Sequence, residues 1–155
     1  MTTDRKKQLY RQLLEKTKAL LGPDGYQMDS MGRMATITAI LKIHFPEWIF
    51  IGFYRRIEDK ILEIGPYQGA VIACGIIRFG QGVCGEAADK KKTINVPDVS
   101  KHENYISCSP ETRSEIVIPV LKDNNVVSML DVDSPVLSGF DSIDEKYLEE
   151  ITSYL

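Results

Sequence analysis

The sequence lacks any long apolar run. None of its uninterrupted apolar stretches approaches the ~18 residues that a membrane-spanning helix needs. The chain starts with the charged run Thr2–Lys7, whereas a secretory signal starts with a basic segment followed by an apolar core. These two absences predict a cytoplasmic protein that has no membrane partner.

Positive charge is also scarce. The chain has 19 lysines and arginines against 22 aspartates and glutamates, and its formal net charge is −3. A protein without a basic field does not attract a phosphate backbone over long range. We therefore expect that nucleic acid is not a partner of this protein.

Cysteine and histidine are few, which limits the metal sites that the chain can form. The spacings between Cys74, Cys84 and Cys108 contain no C-x-x-C pair, and His44 and His102 lie at no ligand-like interval from them. We therefore expect no zinc or other metal site. In a reducing compartment these cysteines are not a structural disulfide framework, so they are either inert core residues or redox-active groups.

The glycine-rich stretches do not match a nucleotide-binding motif. "GPYQG" at 65–69 and "RFGQGVCG" at 78–85 fit neither a Walker loop nor a dinucleotide fingerprint. They are typical of tight turns at strand ends. We therefore expect that the protein uses no bound cofactor.

Helical periodicity and short apolar runs divide the chain into elements. Leu9, Leu13 and Leu20 fall mostly on one face of a first helix, which Gly22-Pro23 ends. Short runs rich in β-branched and aromatic residues, such as "WIFIGFYRR", are typical of strands. The predicted helices cover residues 5–21, 29–44, 84–91 and 141–155, and the predicted strands cover residues 48–56, 60–67, 70–79, 93–97, 114–122 and 126–134.

The order of these elements predicts the fold class. Two helices precede the strands, one helix follows them, and Asp123-Asn124-Asn125 joins the last two strands in a hairpin. This order indicates an α+β fold with a central, mostly antiparallel sheet and with the N- and C-terminal helices packed on one face. Because no repeat, low-complexity tract or linker interrupts the chain, we expect a single domain over residues 1–155.

One cysteine and three acids stand out as candidates for chemistry. Cys108 lies in the turn-forming stretch "NYISCSPETRSEIVIP", just before a predicted strand that carries Glu115. Asp131 and Asp133 in "LDVDS" share one face of another strand, because side chains two residues apart point the same way. If they face inward they need a cationic partner. The alternative for Cys108 is a buried, inert cysteine. The alternative for Asp131 and Asp133 is a solvated strand end.

Several short motifs together resemble those of a known family. The chain resembles a GAF domain and, within that superfamily, the free methionine-(R)-sulfoxide reductases, which reduce the R-sulfoxide of the free amino acid but not of a peptide residue. The resemblance implies a GAF-like fold, free methionine-(R)-sulfoxide as substrate, and recycling by thioredoxin or a similar thiol reductant. The motifs are "GFY" at 52–54, "GPYQG" at 65–69, "AC" at 73–74, "GVCGEAA" at 82–88, "VPDV" at 96–99, "SCS" and "SEIVIP" within 107–119, and "DVDSP" at 131–135.

The family pattern implies roles for the cysteines. It implies that Cys108 attacks the sulfoxide and that Cys74 resolves the resulting sulfenic acid in a disulfide with Cys108. Such a bond requires their Cα atoms to come within roughly 7 Å, so the loop 98–111 must fold over the sheet as a moving lid. Cys84 opens a short helix, where backbone N–H groups and the helix dipole lower a thiol pKa, and it is a candidate auxiliary or alternative thiol.

The remaining predicted site residues are acids and aromatics. We assign Glu115 and Asp133 to activation of the sulfoxide, because crowding by like charges raises a carboxyl pKa and keeps a proton available. Asp131 is assigned to the α-ammonium group of the free amino acid. Tyr54 and Phe50 are expected to wall the methyl end of the substrate, and the alternative for both is ordinary sheet core.

Two other function classes fit part of the same pattern. A GAF-type sensory module would hold a small ligand without converting it, and its cysteines would be remote from one another. A thiol redox sensor would use oxidation of Cys108 to change partner binding. We favour the enzyme, and we expect that the first helix is a possible contact of a homodimer.

Overall fold

The computed structural model describes residues 2–155. No helix in this part of the chain is both long enough and apolar enough to cross a membrane. The helices are α1 (Thr3–Leu21), α2 (Ser30–His44), α3 (Gly82–Lys90) and α4 (Ser142–Thr152), and the strands are β1 (Phe50–Glu58), β2 (Ile61–Gly69), β3 (Ile76–Arg78), β4 (Ile94–Val96), β5 (Ser114–Lys122) and β6 (Asn125–Ser134).

The strands form one antiparallel sheet in the order β3-β2-β1-β6-β5-β4. Strands β5 and β6 make the predicted hairpin, but its turn has two residues instead of three because Asn125 belongs to β6. Asp123 and Asn124 have φ values of 50° and 60°. Two positive φ values in a two-residue loop are typical of a type I′ turn, which favours Asn and Asp.

One face of the sheet carries the larger core. Ile51 and Phe53 of β1 point to this face, and Leu130 and Val132 of β6 join them. The apolar sides of α1, α2 and α4 cover these residues, with Tyr10 among the fully buried side chains. The prediction that the terminal helices pack on one face of an α+β sheet is confirmed.

The opposite face of the sheet is covered by α3 and by irregular segments. Tyr54 and Met129 point to this face, because they alternate with the residues of the first core. Val83 and Ala87 of α3 pack against them. The sheet is therefore buried on both sides, and the cysteines and acids singled out above lie in this second layer.

Two predicted strand boundaries were wrong. The strand expected at 70–79 is only β3 (Ile76–Arg78), so Cys74 lies in an irregular segment and not in a strand. "GPYQG" at 65–69 continues β2 and is not a turn, because it pairs with β1 around an irregularity between Gly52 and Tyr54. Backbone hydrogen bonds from Ala70 to Ile49 and from Ile64 to Gly75 hold the irregular segment that follows.

The first and last helices are joined by a buried polar cluster around Asp144. Asp141 caps α4 and forms a capping box with Asp144. Asp144 also accepts hydrogen bonds from Tyr10 Oη at 2.7 Å and from Lys6 Nζ at 2.5 Å. Helix α1 begins at Thr3, two residues before the predicted start, and Thr2 caps it.

We expect Asp144→Ala to destabilise the protein by about 2 kcal/mol, because it leaves the buried Tyr10 hydroxyl without its acceptor, whereas Lys6 keeps the exposed Asp141 as a partner. Tyr10→Phe removes one hydrogen bond from the same cluster and should cost about 1 kcal/mol. Urea denaturation measures both free energies of unfolding. A value for Asp144→Ala within 0.5 kcal/mol of wild type, roughly the effect of a surface substitution, would contradict this account.

Candidate active site

A small cavity lies between the sheet and the segment that precedes β5. This segment, residues 102–113, is called the lid segment below; it follows a 3₁₀ turn at Val99–Lys101 and contains no helix or strand. The volume of the cavity is about 30 Å³. The cavity is lined by Phe50, Tyr54, Val71, Ala73, Ile77, Gly82, Val83, Cys84, Tyr105, Ile106, Cys108, Glu115, Asp131 and Asp133.

Three carboxyl groups converge on one wall of this cavity. Glu115 of β5 is directly opposite Asp133 of β6, and Asp131 lies two residues along the same strand. Their exposed fractions are 6%, 7% and 8% for Glu115, Asp131 and Asp133. The acids therefore face inward, as the strand alternation predicted, and the alternative of a solvated strand end is wrong.

Burial dominates the electrostatics of these acids. Burial raises the pKa of Glu115 well above its usual value, and the charges of Asp131 and Asp133 raise it further. Burial likewise raises the pKa of Asp131, with the charge of Asp133 adding to it. The pKa of Asp133 rises to about 7 for the same reason, although Thr112 Oγ1 donates a hydrogen bond to it at 3.1 Å. The site therefore retains protons near neutral pH.

Within residues 2–155, the three acids of this wall have no cationic partner, and one of their oxygens has no hydrogen-bond donor. Oδ1 of Asp131 is buried and has no hydrogen-bond partner within residues 2–155. In the same part of the chain no lysine, arginine or histidine forms an ion pair with the three acids. Buried carboxylates without such partners are costly, so the arrangement favours a ligand that brings positive charge.

A disulfide joins Cys74 to Cys108, which lines the cavity. The two Cα atoms are 5.8 Å apart, within the distance that the proposed pairing required. Cys108 lies in the lid segment, which folds over the sheet as expected. Tyr54 Oη donates a hydrogen bond to the backbone oxygen of Cys74 at 3.0 Å. The pairing that the family pattern implied is therefore present in the structure.

The lid segment is tied to the start of α3 by contacts that the sequence analysis did not identify. Asn104 Nδ2 donates to the backbone oxygens of Gly80 and Gly82 at 2.9 and 3.3 Å. His102 Nε2 lies 2.8 Å from Glu86 Oε2 on α3. No local motif marks these residues, because their partners are distant in sequence. Thr112 and Tyr105, which face Asp133 and the cavity, were missed for the same reason.

Cys84 does not have the lowered pKa that its position at a helix start suggested. Its side chain is 2% exposed in the first turn of α3. Burial raises the pKa of the thiol well above its usual value, and the charges of Asp131 and Glu115 raise it further. The expectation was wrong because desolvation and neighbouring acids outweigh the helix N-terminus. Cys84 is a free, buried thiol.

One mixed group of side chains has the spacing of a metal site. The Cys84 sulfur and single carboxylate oxygens of Glu115 and Asp131 all lie within 4.8 Å of one another. The expectation of no metal site rested on the spacing of cysteines and histidines, which says nothing about a thiol combined with carboxylates. The same oxygens also suit an ammonium group, which is a cation that donates hydrogen bonds.

The predicted aromatic residues form the wall beside the acids. Phe50 and Tyr54 both line the cavity and are also part of the second core. A place in the cavity wall and the alternative of a place in the sheet core are therefore compatible. Between them Gly52 pairs with Asp131 across β1 and β6. A Cβ atom at Gly52 would lie 2.5 Å from Phe50 Cζ and 2.8 Å from Tyr67 Cβ. The missing side chain therefore makes room for the Phe50 ring.

The fold and much of the sequence match known proteins. The GAF domain family model matches residues 8–155. "GAF domain-containing protein A" of Dictyostelium discoideum is 43% identical over 150 residues, which are 97% of this chain and 92% of that protein. The match with an enzyme of known activity is also extensive, because "Free methionine-R-sulfoxide reductase" of Escherichia coli is 34% identical over 125 residues, 81% of this chain and 74% of that protein.

A solved structure agrees with these relatives. The crystal structure of the free methionine-R-sulfoxide reductase of Neisseria meningitidis, in complex with its substrate, superposes with a TM-score of 0.89 and 36% identity. The match covers 99% of this chain and 89% of that structure. The chain therefore belongs to the GAF domain family and, within it, to the free methionine-R-sulfoxide reductases, which are oxidoreductases.

Proposed function

We propose that this protein reduces free L-methionine-(R)-S-oxide to L-methionine by thiol chemistry. The observation that carries the proposal is the Cys74–Cys108 disulfide, whose Cys108 lines the same cavity as Glu115, Asp131 and Asp133. A thiol pair and buried acids are the groups that this reduction requires. The substrate complex of the related Neisseria meningitidis enzyme supports the choice of substrate.

The proposed reaction has two steps. The Cys108 thiolate attacks the sulfoxide sulfur, the oxygen is transferred to Cys108 as a sulfenic acid, and methionine leaves. The Cys74 thiol then attacks the sulfenic sulfur and forms the disulfide, while the oxygen leaves as water. The two thiols together lose two electrons and two protons, which balances the reduction of one sulfoxide.

Glu115 and Asp133 supply the proton for the sulfoxide oxygen in this mechanism. Both have raised pKa values, chiefly because they are buried, so protonated carboxyl groups are present near neutral pH. Glu115 is opposite Asp133 in the sheet, so protonation of one affects the pKa of the other. A positioned general acid of this kind typically contributes a factor of about 10² to 10⁴ to a rate.

Asp131 binds the α-ammonium group and gives selectivity for the free amino acid. Its Oδ1 atom is buried and lacks a hydrogen-bond partner within residues 2–155, so it is ready to accept from an N–H group of the ligand. A methionine sulfoxide residue inside a peptide has no such ammonium. Because an unpaired buried carboxylate is costly, a neutral amide at this position binds poorly.

The closed form must open during the catalytic cycle. The cavity of the disulfide form, about 30 Å³, is much smaller than the ~150 Å³ of an apolar cavity that holds benzene. Free methionine sulfoxide is larger than this space. The disulfide is therefore reduced first, and the lid segment then moves to admit the substrate. Thioredoxin or a similar reductant supplies the electrons, consistent with the cytoplasmic location predicted from the sequence.

The acids favour an enzyme over the other function classes. A redox sensor needs the disulfide but has no use for three buried carboxyl groups beside it. A ligand-binding module needs the acids but has no use for the disulfide. A sulfoxide reductase uses both groups in one cycle, as nucleophile and resolving thiol on one side and as proton donor and ammonium site on the other. A homodimer through α1 remains part of the proposal, although Tyr10 and Leu13 of α1 pack into the core of the same chain.

The selectivity of the reaction is the first test. In an assay coupled to thioredoxin, thioredoxin reductase and NADPH, we expect oxidation of NADPH with the free R-sulfoxide and far less with the S epimer. We also expect little reaction with the N-acetylated, C-amidated R-sulfoxide, because it has no ammonium for Asp131. Equal kcat/KM values for the free and capped compounds would rule out the role of Asp131.

A single turnover without an added reductant separates the roles of the two cysteines. We expect reduced Cys108→Ser to form no methionine, because it lacks the nucleophile. Reduced Cys74→Ser should form about one methionine per molecule and then stop, because the sulfenic acid is not resolved. Quenched-flow chromatography measures methionine, and a sulfenic-acid probe detects the intermediate. Formation of one methionine per molecule by Cys108→Ser would disprove the assignment of the nucleophile.

A further inference from the structure

The two segments that carry the disulfide have no charged side chains. Residues 67–77, which include Cys74, and residues 104–110, which include Cys108, contain no Asp, Glu, Lys, Arg or His. Charged residues make up 26% of the whole chain. The surface around the disulfide is therefore unlike the rest of this protein.

Large apolar side chains in these segments are exposed to solvent. The exposed fractions of Ile72, Ile76 and Ile106 are 80%, 53% and 47%. Each lies two residues from a cysteine of the disulfide, so its Cα atom is within about 7 Å of that cysteine's Cα atom. These three isoleucines are called the apolar rim below. Depletion of charge and exposed apolar side chains are typical of the centre of a protein–protein interface.

The disulfide has a side that faces the cavity and a side that a partner can reach. Cys108 lines the cavity, whereas Cys74 does not, and both cysteines are partly exposed. Next to Cys74 lies Gly75, where an added Cβ atom would meet no atom within 4 Å. A partner protein can therefore approach the backbone at Cys74 closely without displacing another part of the chain.

We propose that the apolar rim is the docking surface for a protein dithiol that reduces the disulfide by attacking Cys74. This inference rests on the proposed function, which requires the disulfide to be reduced in each cycle. A partner thiolate bonds to the Cys74 sulfur and releases Cys108 as a thiolate. The second partner thiol then attacks this mixed disulfide, which frees Cys74 and leaves the partner oxidised by two electrons.

The rim suits a transient protein partner better than a small thiol or a second copy of the chain. A small thiol needs access to a sulfur atom but gains nothing from exposed isoleucines. A second copy seated on the rim would cover the disulfide and block its reduction. A small contact of this kind is typical of redox encounters, which bury less surface than stable complexes.

The test compares a protein reductant with a small one. The variant Ile72→Glu/Ile76→Glu places charge on the rim without altering a residue that lines the cavity. The control is Ile43→Glu on α2, whose side chain is 66% exposed and whose helix covers the other face of the sheet. Turnover of free methionine-(R)-sulfoxide is measured with thioredoxin and, separately, with dithiothreitol.

We expect the rim variant to raise the KM for thioredoxin about tenfold, which corresponds to about 1.4 kcal/mol of lost binding energy. Its turnover with dithiothreitol should match wild type, and Ile43→Glu should match wild type with both reductants. An unchanged KM for thioredoxin would overturn the proposal. Equal losses with both reductants would also overturn it, as would a wild-type dimer that the rim variant converts to monomer.

A trapping experiment separates this inference from the proposed function. Thioredoxin with its second active-site cysteine replaced by serine is incubated with the oxidised protein, and the mixed disulfide is mapped by mass spectrometry. We expect it on Cys74, with a slower rate of formation in the rim variant. Trapping on Cys108 would contradict the proposal. Trapping does not depend on sulfoxide reduction. A protein that is inactive with both reductants would disprove the proposed function, and the trapping experiment would still test the role of the apolar rim.

Discussion

The burial of three carboxyl groups beside one another is the constraint on which the rest of the site depends. Glu115, Asp131 and Asp133 point to the same face of adjacent antiparallel strands and are almost completely buried. Such groups stay ionised only with a cationic partner, and otherwise they retain protons. Under the proposed function, the same arrangement provides a proton source and a place for the ammonium group of the substrate.

The fold brings the thiols to these acids from separate parts of the chain. The antiparallel hairpin of β5 and β6 fixes the acids in register, and β1 adds the aromatic wall from the other side of β6. The lid segment and the irregular segment before β3 then bring Cys108 and Cys74 together above them. Rigid strands hold the acids, whereas the cysteines lie in irregular segments, where a change between dithiol and disulfide requires less rearrangement of the sheet.

Local patterns in the sequence accounted for most of the fold and for the direction of the acids. The helix periodicity, the hairpin turn and the alternation of Asp131 and Asp133 depend on near neighbours, and these predictions agree with the structure. The pairing of Cys74 with Cys108 came from the family resemblance alone, because no spacing rule relates two irregular segments. The pKa of Cys84 was predicted in the wrong direction, because Asp131 and Glu115 approach it only in the folded protein.

The same reason explains the contacts that sequence analysis missed. Thr112 donates to Asp133, and Asn104 ties the lid segment to the start of α3, but neither residue belongs to a recognisable motif. The glycines of "GPYQG" suggested a turn, but in the structure this stretch pairs with β1 as the end of β2. Sequence patterns therefore predicted several residues that line the cavity better than the contacts that hold these residues in place.

The most direct test of the central claim is the pH dependence of stability in the absence of substrate. The pKa of Asp133 is about 7 in the folded protein and about 4 in an unfolded chain. The folded state therefore binds more protons between these values, and the stabilisation present at low pH is lost as the pH rises through this window. The measurement is the free energy of unfolding by urea from pH 4 to pH 8, for wild type, Asp133→Asn and the exposed turn variant Asp123→Asn.

The difference between wild type and Asp133→Asn reports the Asp133 carboxyl group together with the effect of its charge on Glu115 and Asp131. We predict that wild type loses stability relative to Asp133→Asn by up to about 1 kcal/mol per pH unit as the pH rises from 4 to 7, with little further change above pH 7. Asp123→Asn should follow wild type at every pH. A difference between wild type and Asp133→Asn that stays constant with pH, or that favours wild type more as the pH rises, would contradict the claim that the acids are buried without a cation.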